Sequence, residues 1–270
     1  MIRKAAFGDW FYPADYTNLS NLIESFLPQQ KITKKGRAKG LILPHAGYIY
    51  SGKTAHDTIL SFELAELVII LGTRHTRGGR TAFSLSTADF WQTPFGQIEV
   101  DREFCLKLLK NSKYIEEDNE AHTQEHSIEV QLPLLQYVKN KFKIVPIIIS
   151  EAKKEIYTAI AEEITQTLQT LKKEATIIAS TDLTHYEPQE AAEKKDKAAI
   201  EAILALDTGR LLNLKETLNL SMCGAAPTCV LLETVKKVGA KKAELIRYET
   251  SARASGDSSS VVGYAGIGIY

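Results

Sequence analysis

The sequence has no apolar run of membrane-spanning length: its longest purely apolar stretches, such as residues 67–71 and 147–149, are strand-length and far below the roughly 18 residues a span needs. It carries no net charge, with 33 Lys and Arg against 33 Asp and Glu and no long basic run. That balance argues against a protein held to nucleic acid by phosphate neutralisation. Cysteine is scarce. Cys105, Cys223 and Cys229 are odd in number and form no C-x-x-C element, which excludes a disulfide framework and the common structural zinc modules and predicts reduced thiols. Repeats, low-complexity tracts and Pro/Ser linkers are also missing, and the stretch 31–39 reads as a short solvated basic loop. Residues 1–9 start basic but have no apolar segment behind them, so secretion is not expected and a cytoplasmic location is.

What remains is an ordinary globular composition, 44% hydrophobic and 24% charged over 270 residues. A chain of that size removes about 75% of its unfolded surface from water on folding. Short apolar runs at 40–43, 67–71, 144–149 and 176–179 read as buried strands. Between the last two, Ile156, Ile160, Ile164, Leu168 and Leu171 line one face of a helix. Ile200, Ile203 and Leu204, then Val230, Leu231, Val235 and Val238, repeat the pattern in two more helices. This alternation predicts a layered α/β fold with a central, mostly parallel or mixed sheet covered by helices, as one domain over residues 1–270. The stretch 81–100, around Thr93, Pro94, Phe95 and Gly96, reads as strands joined by a turn at a sheet edge. Residues 260–270 read as a final strand.

Three of the strand-like runs lead into histidines: Leu43, Pro44, His45; Gly72, Thr73, Arg74, His75; and Ser180, Thr181, Asp182, Leu183, Thr184, His185. Ligand crevices in α/β sheets lie outside the carboxyl ends of the strands, so parallel strands would bring these residues to one edge. One such histidine would be an ordinary hydrogen-bonded imidazole. Three of the six in the chain point to a cluster that uses imidazole as proton carrier or metal ligand. Cys223 precedes the helical pattern of 230–238, and a thiol near a helix N-terminus ionises more easily, becoming both ligand and nucleophile. Cys105 and Cys229 lie inside amphipathic patterns and read as packing. His122 and His126, four apart, could share a helical face. Pro133, however, favours a helix that starts near it, which would leave His122 in the preceding loop. His56 reads as a packing or surface residue. Gly263, Gly266 and Gly268 do not fit G-x-G-x-x-G, and Gly72, Gly78 and Gly79 lack the lysine of a P-loop, so nucleotide binding is not expected.

The segments Pro44, His45, Ala46, Gly47, Tyr48; Gly72 to His75; Glu125, His126, Ser127, Ile128, Glu129; Ser180, Thr181, Asp182 with His185; Cys223, Gly224; and Asp257, Ser258, Ser259 together resemble the Memo family, named for a mediator of cell motility. The resemblance runs from about Phe7 to Ile269. It implies a fold similar to the class III extradiol dioxygenases, a non-haem iron group, with His45, His75 and Cys223 at the family's metal-binding positions and Asp182 and His185 beside them. Two departures stand out: Thr76 follows His75 where some relatives have a second histidine, and Ala226 precedes Pro227 where animal members can carry histidine.

A site of two imidazoles and one thiolate suits a transition metal, iron(II) favoured, with zinc or copper as alternatives. In the dioxygenases the third ligand is a carboxylate. A thiolate there changes charge and potential, so extradiol cleavage is not the expected reaction. The leading expectation is redox or oxygen chemistry on a small molecule or peptide, with His185, oriented by Asp182, as acid/base and with His126 and Arg74 in the pocket. A metal-independent enzyme would use the same residues as a Cys223, His185, Asp182 triad. A non-enzymatic adaptor, as animal members are described, would receive a phosphorylated peptide at Arg74, Arg77 and Arg80. The family also implies a pathway link to the radical-SAM and AMMECR-type proteins with which prokaryotic members are named, the AmmeMemoRadiSam grouping.

Overall fold

In the computed structural model, which describes residues 1–28 and 32–270, the four apolar runs lie side by side. Lys31, the first residue of the basic loop, lies outside the described residues. The strands, in chain order, are β1 (Ile2–Arg3), β2 (Gly40–Leu43), β3 (Leu67–Gly72), β4 (Phe83–Leu85), β5 (Phe90–Thr93), β6 (Gly96–Glu99), β7 (Glu116–Glu117), β8 (Lys143–Ile149), β9 (Ala175–Ser180), β10 (His185–Glu187), β11 (Ala243–Thr250) and β12 (Val261–Ile269). β2, β9, β3 and β8 are parallel neighbours in that order. Every residue of β2 and β3 is buried, as strands covered on both faces require, which is why they read as unbroken apolar runs.

Antiparallel strands extend this parallel centre on both sides. β12 pairs with β2, with β11 along its length and with β10 at its start. On the far side β4 runs antiparallel to β8, and β7 joins β4. The result is a nine-stranded mixed sheet. The helices Lys154–Leu171 and Ala225–Lys237 pack on each other, and the second also lies on β9, β2 and β3. Ile160, Ile164 and Leu168 are buried on the first, as the spacing predicts. The helix Gln189–Leu204 buries Ile200 and Ile203. Together these give the layered α/β fold with a mixed central sheet.

One placement differs from the sequence reading. β5 and β6 do form a hairpin about the Thr93–Gly96 turn, but they leave the main sheet. Their third strand is β1, paired parallel to β5 with Ile2 opposite Phe90. Only β4 of that stretch joins the large sheet, between β8 and β7, while the other side of β5 is taken by the chain's first residues. The final strand forms where the sequence places it, as β12, held between β11 and β2. β11 went unread: Glu244, Arg247 and Glu249 interrupt its apolar residues, and it is only half-buried over most of its length.

His122 and His56 are packing residues. His122 ends a short 3-10 turn and does not share a helix with His126, since the helix containing Pro133 spans Gln131–Val138. Its Nε2 lies 3.0 Å from the carbonyl of Ser84. His56 is fully buried in the helix Lys53–Leu60, between Phe26 and Tyr137, and neither ring nitrogen meets a hydrogen-bond partner among the described residues. Burial pushes its pKa down from 6.5 to about 4, against the opposing pull of Asp57. The neutral form is therefore favoured in the folded state. The associated stability is fully present above pH 6.5 and is lost as pH falls toward 4, because the unfolded chain binds the proton first. We expect the wild type to lose about 2 kcal/mol through this residue between pH 7 and pH 5. Urea unfolding of His56→Leu should show an acid limb shallower by that amount; an unchanged limb would refute the assignment.

Candidate metal centre

β2, β9 and β3 are adjacent and in register, with Leu43 opposite Ser180 and Leu71 opposite Ala179. The chain therefore leaves their carboxyl ends at one edge, which puts Pro44 and His45, Thr181 and Asp182, and Thr73, Arg74 and His75 together. The segment 125–129 lies across the end of β3. Gly72 allows that approach, since a Cβ there would stand 2.6 Å from Ile128 Cγ1 and 2.7 Å from Ser127 Oγ. His126 enters the site with this segment. The ring centroids are 5.1 Å apart for His45 and His75, 5.3 Å for His45 and His126, and 4.4 Å for His75 and His126, which stack. One ring nitrogen from each of the three lies within 4.8 Å of the other two.

Hydrogen-bond bookkeeping fixes which nitrogen His45 presents. Ser180 Oγ donates its only proton to the Ser127 carbonyl at 2.6 Å. Gln131 Nε2 donates to Ser180 Oγ at 2.8 Å and to the Pro44 carbonyl at 2.9 Å, and the second contact sets the amide's orientation. With its proton spent and one lone pair filled, Ser180 Oγ can only accept from His45 Nδ1, 2.9 Å away. His45 is thus the Nδ1–H tautomer, with the Nε2 lone pair facing the cluster. His75 is held in the same tautomer by a carboxylate. Its Nδ1 lies 2.9 Å from Glu125 Oε1, and its backbone N–H donates to Oε2 at 2.7 Å. Burial alone would raise the Glu125 pKa, but the hydrogen bonds from His75 and the Ser127 N–H bring it down to about 2. A carboxylate that orients an imidazole is the usual support for a metal-ligating histidine.

His45 and His126 are kept neutral. Burial, then the neighbouring imidazoles, lowers both to about 3. Neutral imidazoles repel one another little and offer lone pairs, which is what a cation requires.

Cys223 reaches the cluster through His45, with Sγ 3.3 Å from His45 Nε2. Gly224 makes this possible. Its N–H donates to Thr181 Oγ1 at 2.9 Å, and a Cβ would collide with Thr181 Cβ at 2.3 Å. The thiol is not easily ionised, contrary to the expectation from its place before the helix Ala225–Lys237. Burial, then the charge of Asp182, pushes its pKa up to about 12, so desolvation outweighs the partial charge of the helix end. Asp182 does not orient His185 either. Its Oδ1 accepts from the His45 backbone N–H at 2.8 Å, and burial raises its pKa. His185 Nδ1 is fixed by the Leu183 carbonyl at 2.8 Å, which leaves Nε2 as its free nitrogen. The expected Asp182–His185 pairing gives way to two separate backbone anchors.

Arg74 is turned inward. Four of its five N–H groups donate to the carbonyls of Thr76, Gly78, Gly79 and Thr81, closing its own loop rather than receiving an anion. Sequence reasoning missed Glu125, Ser127, Ser180 and Gln131 as the groups that orient the imidazoles. For Gln131 the available signal was its place between Val130 and Leu132, since a glutamine flanked by core residues must have partners.

A family model described as Memo-like protein matches residues 3–268. A MEMO1 family protein of Methanopyrus kandleri, MK0963, is 40% identical, with 99% of this chain and 98% of that protein aligned. MEMO1 family proteins of Sulfurisphaera tokodaii and Aquifex aeolicus are 41% and 38% identical, over 99% and 98% of this chain and the same shares of theirs. Among solved structures, the uncharacterised protein JW3007 of Escherichia coli K12 superposes with a TM-score of 0.56 over 86% of this chain and 99% of that one, at 11% identity. That likeness shows the fold alone.

If the Ser180 hydroxyl holds His45 in one tautomer, Ser180→Ala should leave the Ser127 carbonyl and the Gln131 amide short of a partner. The expected cost is about 1–3 kcal/mol of stability, with release of the His45 proton from Nδ1. Ser180→Thr keeps the hydroxyl and should keep the tautomer. Ring 15N shifts of His45 in the two variants decide the matter, and an unchanged Nδ1–H signal in Ser180→Ala would refute it.

Proposed function

The chain belongs to the Memo family, and from that premise we propose that it binds one transition-metal ion at the carboxyl edge of the sheet, with His45 and His75 as ligands and His126 and Cys223 as the further donors. The observation that carries the reading is the group of three imidazole nitrogens within 4.8 Å of one another, two of them pinned by Ser180 and Glu125 with Nδ1 protonated. The donor set fits a cation. Metal–nitrogen and metal–sulfur bonds of about 2.0 and 2.3 Å put two donors on one tetrahedral ion about 3.5 Å apart, and His45 Nε2 lies 3.3 Å from Cys223 Sγ.

Imidazole and thiolate together suit iron(II), zinc or copper(I). When bound, an ion with an open position would supply redox or oxygen chemistry toward a small molecule. The protein's own part is to orient and to move protons. Ser180 and Glu125 aim the imidazoles, and Asp182 holds the His45 backbone in place. The Cys223 thiol gives up its proton on becoming a ligand, which couples binding to pH. His185, partly exposed with Nε2 free, stands as the acid/base toward a ligand at the open position. The metal-free triad finds less support, because Cys223 contacts His45 rather than His185 and burial disfavours its thiolate. The anion-binding reading loses Arg74 to its own loop and retains Arg77 and Arg80, both exposed.

Protein prepared anaerobically should contain about one transition-metal ion per chain, the capacity of one such donor set, by plasma mass spectrometry. His45→Ala and His75→Ala should remove it. His126→Ala and Cys223→Ser should each weaken it, and the one with the larger effect identifies the third ligand. Unchanged metal content in His45→Ala would end the proposal.

A further inference from the structure

Arg3 is buried, 6% exposed, and so is the carboxylate of Glu129. Neither belongs to the imidazole cluster, yet both hold the segment that carries His126. The Arg3 guanidinium pairs with Glu129. It also donates from Nη2 to the Glu125 carbonyl at 3.1 Å, and from Nε and Nη2 to the His122 carbonyl at 3.0 and 2.9 Å. One planar group thus grips the backbone just before His126 and the side chain three residues after it. The ring of Trp91 lies 4.6 Å beneath. Glu129 in turn accepts the N–H groups of Ala6 and Phe7 and the hydroxyl of Tyr12. That draws the first turn of the chain onto the same segment. Phe7 and Phe11 then meet His126: Phe7 edge-on at 5.6 Å, Phe11 stacked at 4.4 Å. The imidazole is held between Phe11 on one face and His75 on the other.

We propose that Arg3 is a positioning residue for His126: by bracketing residues 125–129 and seating Phe7 and Phe11, it fixes the ring that faces His45 and His75. The N-terminal segment is thereby a working part of the site, acting through side chains that touch no metal. Supporting groups of this kind commonly alter metal affinity 10- to 100-fold. The metal arm of the test rests on the reading of the cluster given above; the positioning itself does not.

Arg3→Lys separates positioning from mere folding. Its ammonium keeps a cation beside Glu129, but a single point donor cannot span the His122 and Glu125 carbonyls as the planar fork does. Should that variant fail to fold, the double change Arg3→Met with Glu129→Leu removes both charges at similar volume, a replacement that often preserves stability. Two readouts apply to the folded variant. In metal-free protein, carbethoxylation of His126 by diethyl pyrocarbonate, followed by peptide mass spectrometry with His185 as internal reference, should rise several-fold over wild type. In a cobalt(II) titration the dissociation constant should rise about tenfold, with a changed visible spectrum. Wild-type labelling and wild-type cobalt affinity in a folded variant would overturn the proposal. If wild type takes up no cobalt while His126 labelling still rises in the variant, the positioning role stands and the metal reading falls.

Discussion

A serine hydroxyl has one proton to give, and the arrangement of this site follows from where Ser180 gives it. Donated to the Ser127 carbonyl, that proton ties the end of β9 to the segment carrying His126 and obliges the oxygen to accept from His45. Three parts of the chain far apart in sequence are thereby locked to one hydroxyl, and the direction of each bond is set by elementary donor and acceptor counting. The orientation of His45 is a consequence of a buried polar group having to be satisfied.

Desolvation sets the charge state of the same site. Burial, seconded by the neighbouring imidazoles and by Asp182, favours neutral His45 and His126 and a protonated Cys223. Glu125 is the counterexample that makes the point, ionised although buried, because His75 and backbone N–H groups surround it. A cluster of neutral donors beside one oriented carboxylate is prepared to receive a cation and poorly prepared to act as a free thiolate nucleophile. The close contacts at Gly72 and Gly224 belong to the same construction, since each brings a donor-bearing segment against a strand end that any larger residue would hold away.

The fold was legible where burial is two-sided and local. β2 and β3 are unbroken apolar runs, β8 and β9 are nearly so, and the helices at 154–171 and 225–237 show their faces at intervals of three and four. β11 was not legible, because charged residues on a half-buried strand break the pattern, and neither was the pairing of β1 with β5, which joins residues 88 apart. In the site, His45 and His75 could be placed at one edge because each follows a parallel strand. His126 follows no strand, and its position depends on Arg3, Phe11 and Glu129, whose meeting leaves no mark in local spacing.

Sequence alone determined the layered α/β architecture, the family, and the meeting of His45 and His75 at the carboxyl ends of parallel strands, because hydrophobic period and strand direction are properties of contiguous residues. Tertiary structure alone decided which nitrogen each oriented imidazole presents, that Asp182 serves His45 rather than His185, that Arg74 closes its own loop, and that burial disfavours a free Cys223 thiolate. Those outcomes depend on the environment of a polar group after water has been removed, and that environment is assembled from segments the chain brings together only on folding.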